Sequence, residues 1–257
     1  IHNNKHNTGG TTMRIGIVVD STCDLPEEYF REHNLRILPI SIRLGEDVLV
    51  DKRDPDVTAR FYRDQLDAKG RDAESIPYSV DQIRAVFLDE LVLDYDLVFC
   101  ITVSGKRSQI FDNATQASFS ILKEYQKVRA DAGVQGPFSM RVIDSKTLFS
   151  GTAVLVCEAV ELIRGGANRN AIRLNIDEMI PHVCGYMVPE DLGYVRDRGF
   201  KKGERKRLSD SMRGLALSVG SAIHASMQRS TKVATPTVSR KARSTDGSPS
   251  ALVRKSA

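Results

Sequence analysis

The 257-residue sequence has no tryptophan, 6% aromatic residues and four cysteines, and these shortages exclude several classes of protein. Cys23, Cys100, Cys157 and Cys184 lie far apart, mostly among apolar neighbours, and form no CxxC pair. That spacing excludes a zinc finger or a disulfide scaffold and indicates reduced core thiols in a cytoplasmic protein. No run of about 18 apolar residues exists, so no membrane-spanning helix is expected. The leader 1–12 has no apolar h-region and does not read as a signal peptide; it reads as disordered, with Met13 as the natural start. There is no G-x-S-x-G elbow, no Walker A loop, no G-x-G-x-x-G after the first strand and no HExxH. His2, His6, His33, His182 and His224 show no metal-ligand spacing. No catalytic residue, metal ligand or cofactor is therefore assigned.

What is present suits a folded core: 41% of residues are hydrophobic and 27% charged. The net charge of +4 is unevenly placed. From Tyr194 onward there are 15 Lys or Arg against 4 Asp or Glu, whereas the first 193 residues hold 22 against 29. The body is acidic and the tail basic. No aromatic residue follows Phe200, so the tail offers no platform on which bases could stack, and no specific nucleic-acid partner is expected. From Ser226 to Ala257, 11 of 32 residues are Ser or Thr, which reads as a disordered tail.

The patterning alternates between strands and helices. Arg14–Val19, Leu97–Val103 and Met140–Ile143 are short apolar runs that read as buried strands. Ile37–Arg43 reads as a further strand, placed by Pro39 at an edge or bulge. Helices are expected at Pro55–Leu66, Ser79–Leu93, Ala114–Ala130 and Gly151–Arg164, and at Asn170–Val183 with an interruption at Pro181. This is an α/β pattern with a parallel sheet. The expected organisation is an N-terminal α/β domain over 13–160, a smaller and incomplete second α/β domain over 161–225, and the tail 226–257.

Four polar clusters read as strand-end loops: Asp20-Ser21-Thr22, Ser75-Ile76-Pro77-Tyr78-Ser79, Ser104 to Ser108, and Asp144-Ser145. The carboxyl edge of a parallel sheet is where such folds bind ligands. Small hydroxyls beside helix N-termini suit an anion, although each cluster alone also reads as an ordinary helix cap.

Together the clusters resemble the DegV family of bacterial fatty-acid-binding proteins. Ile17–Pro26 (I-V-V-D-S-T-C-D-L-P) is similar to that family's first strand and its D-S-T-x-D-L-P loop. Ser75 and Pro77 match its T-S-Q-P-S loop. Val103 to Ala114 aligns with I-S-S-x-L-S-G-T-Y-Q-S-A, matching at Ser104, Ser108 and Ala114. Val142-Ile143-Asp144-Ser145 with Ser150-Gly151 resembles V-I-D-S-(x)-S-x-G, and Asp191–Val195 resembles the D-L-x-Y-L before a G-G-R-I turn.

The resemblance implies two α/β domains and one long-chain fatty acid in an apolar inter-domain tunnel, with no chemistry performed by the protein. It implies that Ser75 and Ser104, with Ser21 and Ser108 nearby, hold the carboxylate. It also implies a fatty-acid kinase as a partner, as for some relatives. Three positions depart from the family: Gly105 replaces the second serine of S-S, Glu74 replaces the threonine before Ser75, and Phe200 stands where G-G-R-I has arginine. Arg196 and Arg198 are the candidates to supply the missing guanidinium. Two other readings stay open: an α/β enzyme acting on a phosphate-bearing or nucleotide substrate, and a truncated remnant that binds nothing.

Overall fold

A computed structural model of the chain describes residues 13–61, 63–64 and 73–185. The leader 1–12, the segment 186–225 with Arg196 and Arg198, and the tail 226–257 lie outside the described residues.

Two sheets form. β1 (Ile15–Asp20), β2 (Arg36–Leu38), β6 (Leu97–Thr102) and β7 (Ser139–Asp144) make a parallel sheet in the order β2-β1-β6-β7. β3 (Ile40–Leu44), β4 (Asp47–Asp51) and β5 (Glu74–Pro77) make an antiparallel sheet in the order β4-β3-β5. The expected α/β class holds.

The inner strands β1 and β6 are near-continuous apolar runs because helices cover both faces. Ile17, Val19, Phe99 and Ile101 point into one layer, where they meet Phe30 of α1 (Glu27–Glu32). That layer is completed by Leu155, Val156 and Ala159 of α6 (Ser150–Arg164) and by Ile172 and Ile176 of α7 (Arg169–Met179). Val18, Val98 and Cys100 point the other way, as a two-residue period requires. They meet Ile83 of α3 (Val80–Val86), together with Ile110, Ala114 and Ala117 of α4 (Ile110–Ser120). Among the described residues there are also α2 (Pro55–Phe61) and α5 (Tyr125–Asp131), and α3 continues as a π-helical turn over Phe87–Leu91 and a last α-turn over Val92–Asp94.

Three elements depart from the sequence reading, each for a physical reason. The single strand expected over Ile37–Arg43 is two strands in two sheets. Pro39 has no N–H for a ladder, and the chain leaves one sheet and enters the other there. The helix expected at Ala114–Ala130 begins at Ile110 and breaks into a 3-10 turn at Ile121–Lys123. Near that break Ser118 and Ser120 donate their hydroxyls to the carbonyls of Thr115 and Ala117, which competes with the helical ladder. The last helix stops at Met179, and Pro181 sits in the 3-10 turn Ile180–His182.

At the amino edge of the parallel sheet, Arg129 is buried and its guanidinium is fully committed. It donates to the carbonyls of Val92, Tyr95, Gln135 and Gly136 and to Asp96 Oδ1 at 2.9 Å. Arg14 reaches the same Asp96 carboxylate, whose hydrogen bonds to Arg14 and Arg129 hold it well below the usual carboxylate range. This network ties the sheet together at the end remote from the strand-end loops.

Candidate functional site

In the order β2-β1-β6-β7 the chain reverses direction across the sheet between β1 and β6. Open parallel sheets place ligand sites beyond the carboxyl ends at such a reversal. Asp20 ends β1 and Thr102 ends β6, so Ser21 and Ser104 flank this point.

Asp20 is wholly buried and bridges the two strands. Its Oδ2 accepts from Val103 N–H at 2.6 Å, and its Oδ1 accepts from the Thr22 N–H and hydroxyl at 3.0 and 2.5 Å. Burial raises its carboxyl above the ordinary aspartate value, and the hydrogen bonds from Thr22 and Val103 pull the other way. Ser21 Oγ accepts from Ile40 N–H at 3.1 Å, and its own N–H donates to Leu38 O. This hydroxyl therefore joins the parallel sheet to the antiparallel one. As an acceptor it keeps a proton to donate.

Ser104 is 5% exposed. Its N–H donates to Thr147 O at 3.0 Å, and its carbonyl accepts from Arg107 and Ser108. Among the described residues its hydroxyl has no hydrogen-bond partner. Ser108 Oγ accepts from Ile110 N–H at 3.3 Å and so starts α4. Ser21, Ser104 and Ser108 thus gather at the carboxyl ends of β1 and β6.

Ser75 lies elsewhere than a parallel-strand end. It is an exposed residue of β5, in register with Ile42 of β3. It approaches the other loops through β3, whose Ile40 meets Ser21. On the other side the Tyr78 carbonyl, just past β5, accepts from Asn113 Nδ2 of α4 at 2.7 Å. Arg196 and Arg198 lie outside the described residues.

Two of the three departures now have local accounts. Glu74 is held by Arg43 of the neighbouring strand at 2.6 Å, in direct register, so its charge is paired on the sheet. Gly105 donates its N–H to Asp144 Oδ1 at 3.0 Å, and a Cβ there would meet the Phe111 ring at 3.0 Å. Phe111 occupies the space that a serine would need. The third, Phe200, lies outside the described residues.

Sequence reasoning missed Arg53, Thr147 and Asn113. Arg53 braces the Ser21–Leu25 loop by donating to the carbonyls of Ser21, Cys23 and Leu25 at 3.0, 2.6 and 2.7 Å. Its guanidinium also lies over the Phe30 ring, 4.8 Å from the centroid. A surface cleft of about 490 Å³ opens beside it, lined by Asp24, Leu25, Pro26, Glu27, Arg53 and Pro55. No local pattern announces these partners, which lie about 30 or more positions away in the chain.

Burial pushes the Cys23 thiol up to about 12, which removes it as a nucleophile at neutral pH. Cys100 is also buried, whereas Cys184 is exposed rather than in the core. Among the described residues no cluster of His, Cys, Asp or Glu could hold a metal, and no helix is long and apolar enough to cross a membrane.

Comparison with known proteins agrees with this architecture. A family model described as "Uncharacterised protein, DegV family" matches residues 14–235. A DegV domain-containing protein of Xanthomonas axonopodis pv. citri is 50% identical over 193 residues, covering 75% of this chain and 62% of the relative. The chain thus spans about three-fifths of that relative's length. A DegV lipid-binding protein from Thermotoga maritima superposes with a TM-score of 0.56 at 22% identity, covering 66% of this chain and 55% of that one. A DegV-family protein from Ruminococcus gnavus, refined with vaccenic acid, gives a TM-score of 0.58 at 13% identity, covering 73% and 62%. At these identities the superpositions establish the shared fold.

Proposed function

The chain belongs to the DegV family, and from that premise we propose that it binds one long-chain fatty acid and performs no chemistry on it. The carboxylate sits at the carboxyl ends of β1 and β6, with the Ser104 hydroxyl as the central donor. The acyl chain occupies an apolar tunnel of the kind the family resemblance implies, where each buried methylene contributes about 0.8 kcal/mol.

The observation that carries this reading is the state of Ser104. It is a nearly buried serine at the strand reversal whose hydroxyl no described residue engages. A strand-end hydroxyl that no described residue engages keeps its proton to donate to a ligand oxygen. Ser21 and Ser108 already accept backbone N–H groups but retain donors, so they can add to the same anion. Ser75 contributes from β5. Arg196 and Arg198 supply the charge-assisted pair that a desolvated carboxylate needs. The likeness to a lipid-binding protein and to one refined with vaccenic acid supports this ligand class. Presentation of the carboxylate to a fatty-acid kinase is the corresponding partner role, and the cytoplasm the corresponding compartment.

Native mass spectrometry of the full chain, purified from a bacterial host without added lipid, tests the reading. One fatty acid per chain is expected. A bound nucleotide would favour a phosphate-handling enzyme instead, and a ligand-free chain that fails to take up oleate would overturn the proposal.

A further inference from the structure

The loops that carry the candidate donors form a closed ring of hydrogen-bonded segments. Starting at Ser75, β5 pairs with β3, and Ile40 of β3 donates to Ser21 Oγ. The adjacent Asp20 accepts from Val103 N–H, which fixes the start of the Ser104 loop. The Ser104 carbonyl accepts from Ser108 N–H, and Ser108 Oγ accepts from the first residue of α4. Asn113, on the first turn of that helix, donates its side-chain N–H to Tyr78 O, and Tyr78 directly follows β5. The ring therefore returns to the strand that carries Ser75.

Each link but one is made by the backbone or by the strand-end residues already described. The exception is Asn113. Its backbone N–H is used within α4, bonding Gln109 O at 2.9 Å, so only the side-chain amide reaches outward. Its target is a carbonyl that no helix satisfies, because Tyr78 precedes the cap of α3. There Ser79 and Gln82 are occupied with each other, Gln82 N–H donating to Ser79 Oγ at 3.2 Å and Ser79 N–H to Gln82 Oε1 at 2.9 Å. On the opposite side of β5 its sheet neighbour among the described residues is β3. The position of Ser75 relative to Ser104 is thus set from one side by a strand and from the other by the packing of α3 on α4, with the Asn113 amide as the hydrogen bond that ties Tyr78 to α4.

We infer that Asn113 is a positioning residue for carboxylate recognition: by holding Tyr78 O it sets the Ser75 strand against the Ser104 loop, without touching the ligand itself. The inference rests on the fatty-acid reading proposed above. Hydroxyl donors act on a carboxylate only at hydrogen-bond distance, so loosening one loop against the other weakens binding of the head group and not of the tail.

The test compares oleate with oleyl alcohol, which share a tail and differ in the carboxylate. Affinities are measured for the full chain and for Asn113→Ala, Asn113→Asp and Asn113→Gln, with melting temperatures alongside. Asn113→Asp keeps the shape but turns an acceptor toward an acceptor, so it remains informative should the alanine variant fold poorly. The expected result is a roughly tenfold loss of oleate affinity in the Ala and Asp variants, the size of one lost hydrogen bond, with partial recovery in Gln. Oleyl alcohol affinity should stay within about twofold, because apolar burial sets it. Equal losses for both ligands would reduce Asn113 to a structural residue and overturn the inference, as would unchanged oleate binding in both variants. A parent chain that binds neither ligand would instead overturn the fatty-acid reading, and the inference with it.

Discussion

Asp20 and Val103, 83 positions apart, are joined by a 2.6 Å hydrogen bond from the Val103 backbone N–H to the buried Asp20 Oδ2. The bond spans the ends of β1 and β6 at the point where the sheet reverses its order. Removing the acceptor leaves a buried N–H without a partner, which costs about 1–3 kcal/mol. Asp20→Ala should therefore lower stability by that amount or more, since the Thr22 donors are lost as well. Asp20→Asn should recover part of it, as its single carbonyl oxygen cannot serve both Thr22 and Val103. Urea unfolding of the two variants checks the order.

Arg53 should prove equally structural. Two guanidinium nitrogens serve three carbonyls, a fork that lysine cannot reproduce. Arg53→Lys should cost about 1–3 kcal/mol and speed amide exchange in the Ser21–Leu25 loop. Unchanged exchange there would mean that the loop holds its form unaided.

Gly105 gives a test of shape. An added Cβ would stand 3.0 Å from the Phe111 ring, so the ring must give by a few tenths of an ångström. Gly105→Ala should destabilise the chain by about 1 kcal/mol, the low end for overpacking. In a Phe111→Ala background the same change should be neutral or stabilising, because the loss of glycine's freedom in the unfolded chain then acts alone. A double-mutant cycle with no coupling would show that Phe111 is not the obstacle.

The acid limb of stability should report on Asp96. Its hydrogen bonds to Arg14 and Arg129 lower its proton affinity in the folded state. The stabilisation is therefore fully present above the ordinary aspartate range and is lost as pH falls through the lower folded value. The melting temperature should fall steeply below about pH 4, and Asp96→Asn should flatten that limb while lowering the plateau near neutrality. Asp20 has the opposite sign, because burial raises its carboxyl, so Asp20→Asn should not flatten the limb.

Much of this architecture can be read from single runs of residues. β1, β6 and β7 announce themselves as apolar strands ending in polar residues, and α6 as an apolar helix stopped by Gly165-Gly166. The antiparallel sheet is far less legible. β4 alternates, but its Val48 and Val50 point to solvent, so the alternation does not mark a core-facing strand. β5 contains Pro77 and has only four residues, too few to separate a strand from a loop. Among the site residues, Ser104 and Ser21 are visible because they end apolar runs. Asn113, Arg53 and Thr147 are not, because their roles come from partners distant in sequence.

The Ser104 hydroxyl is the central donor proposed for the carboxylate. Titration of oleate into the full chain should give a dissociation constant that rises roughly tenfold or more in Ser104→Ala, since a hydrogen bond to a charged group contributes about 1.5–3 kcal/mol. Ser120→Ala serves as the control, because its hydroxyl is spent on the Ala117 carbonyl within α4. It should leave the constant unchanged. Equal and small effects of the two substitutions would remove Ser104 from the site and contradict the account.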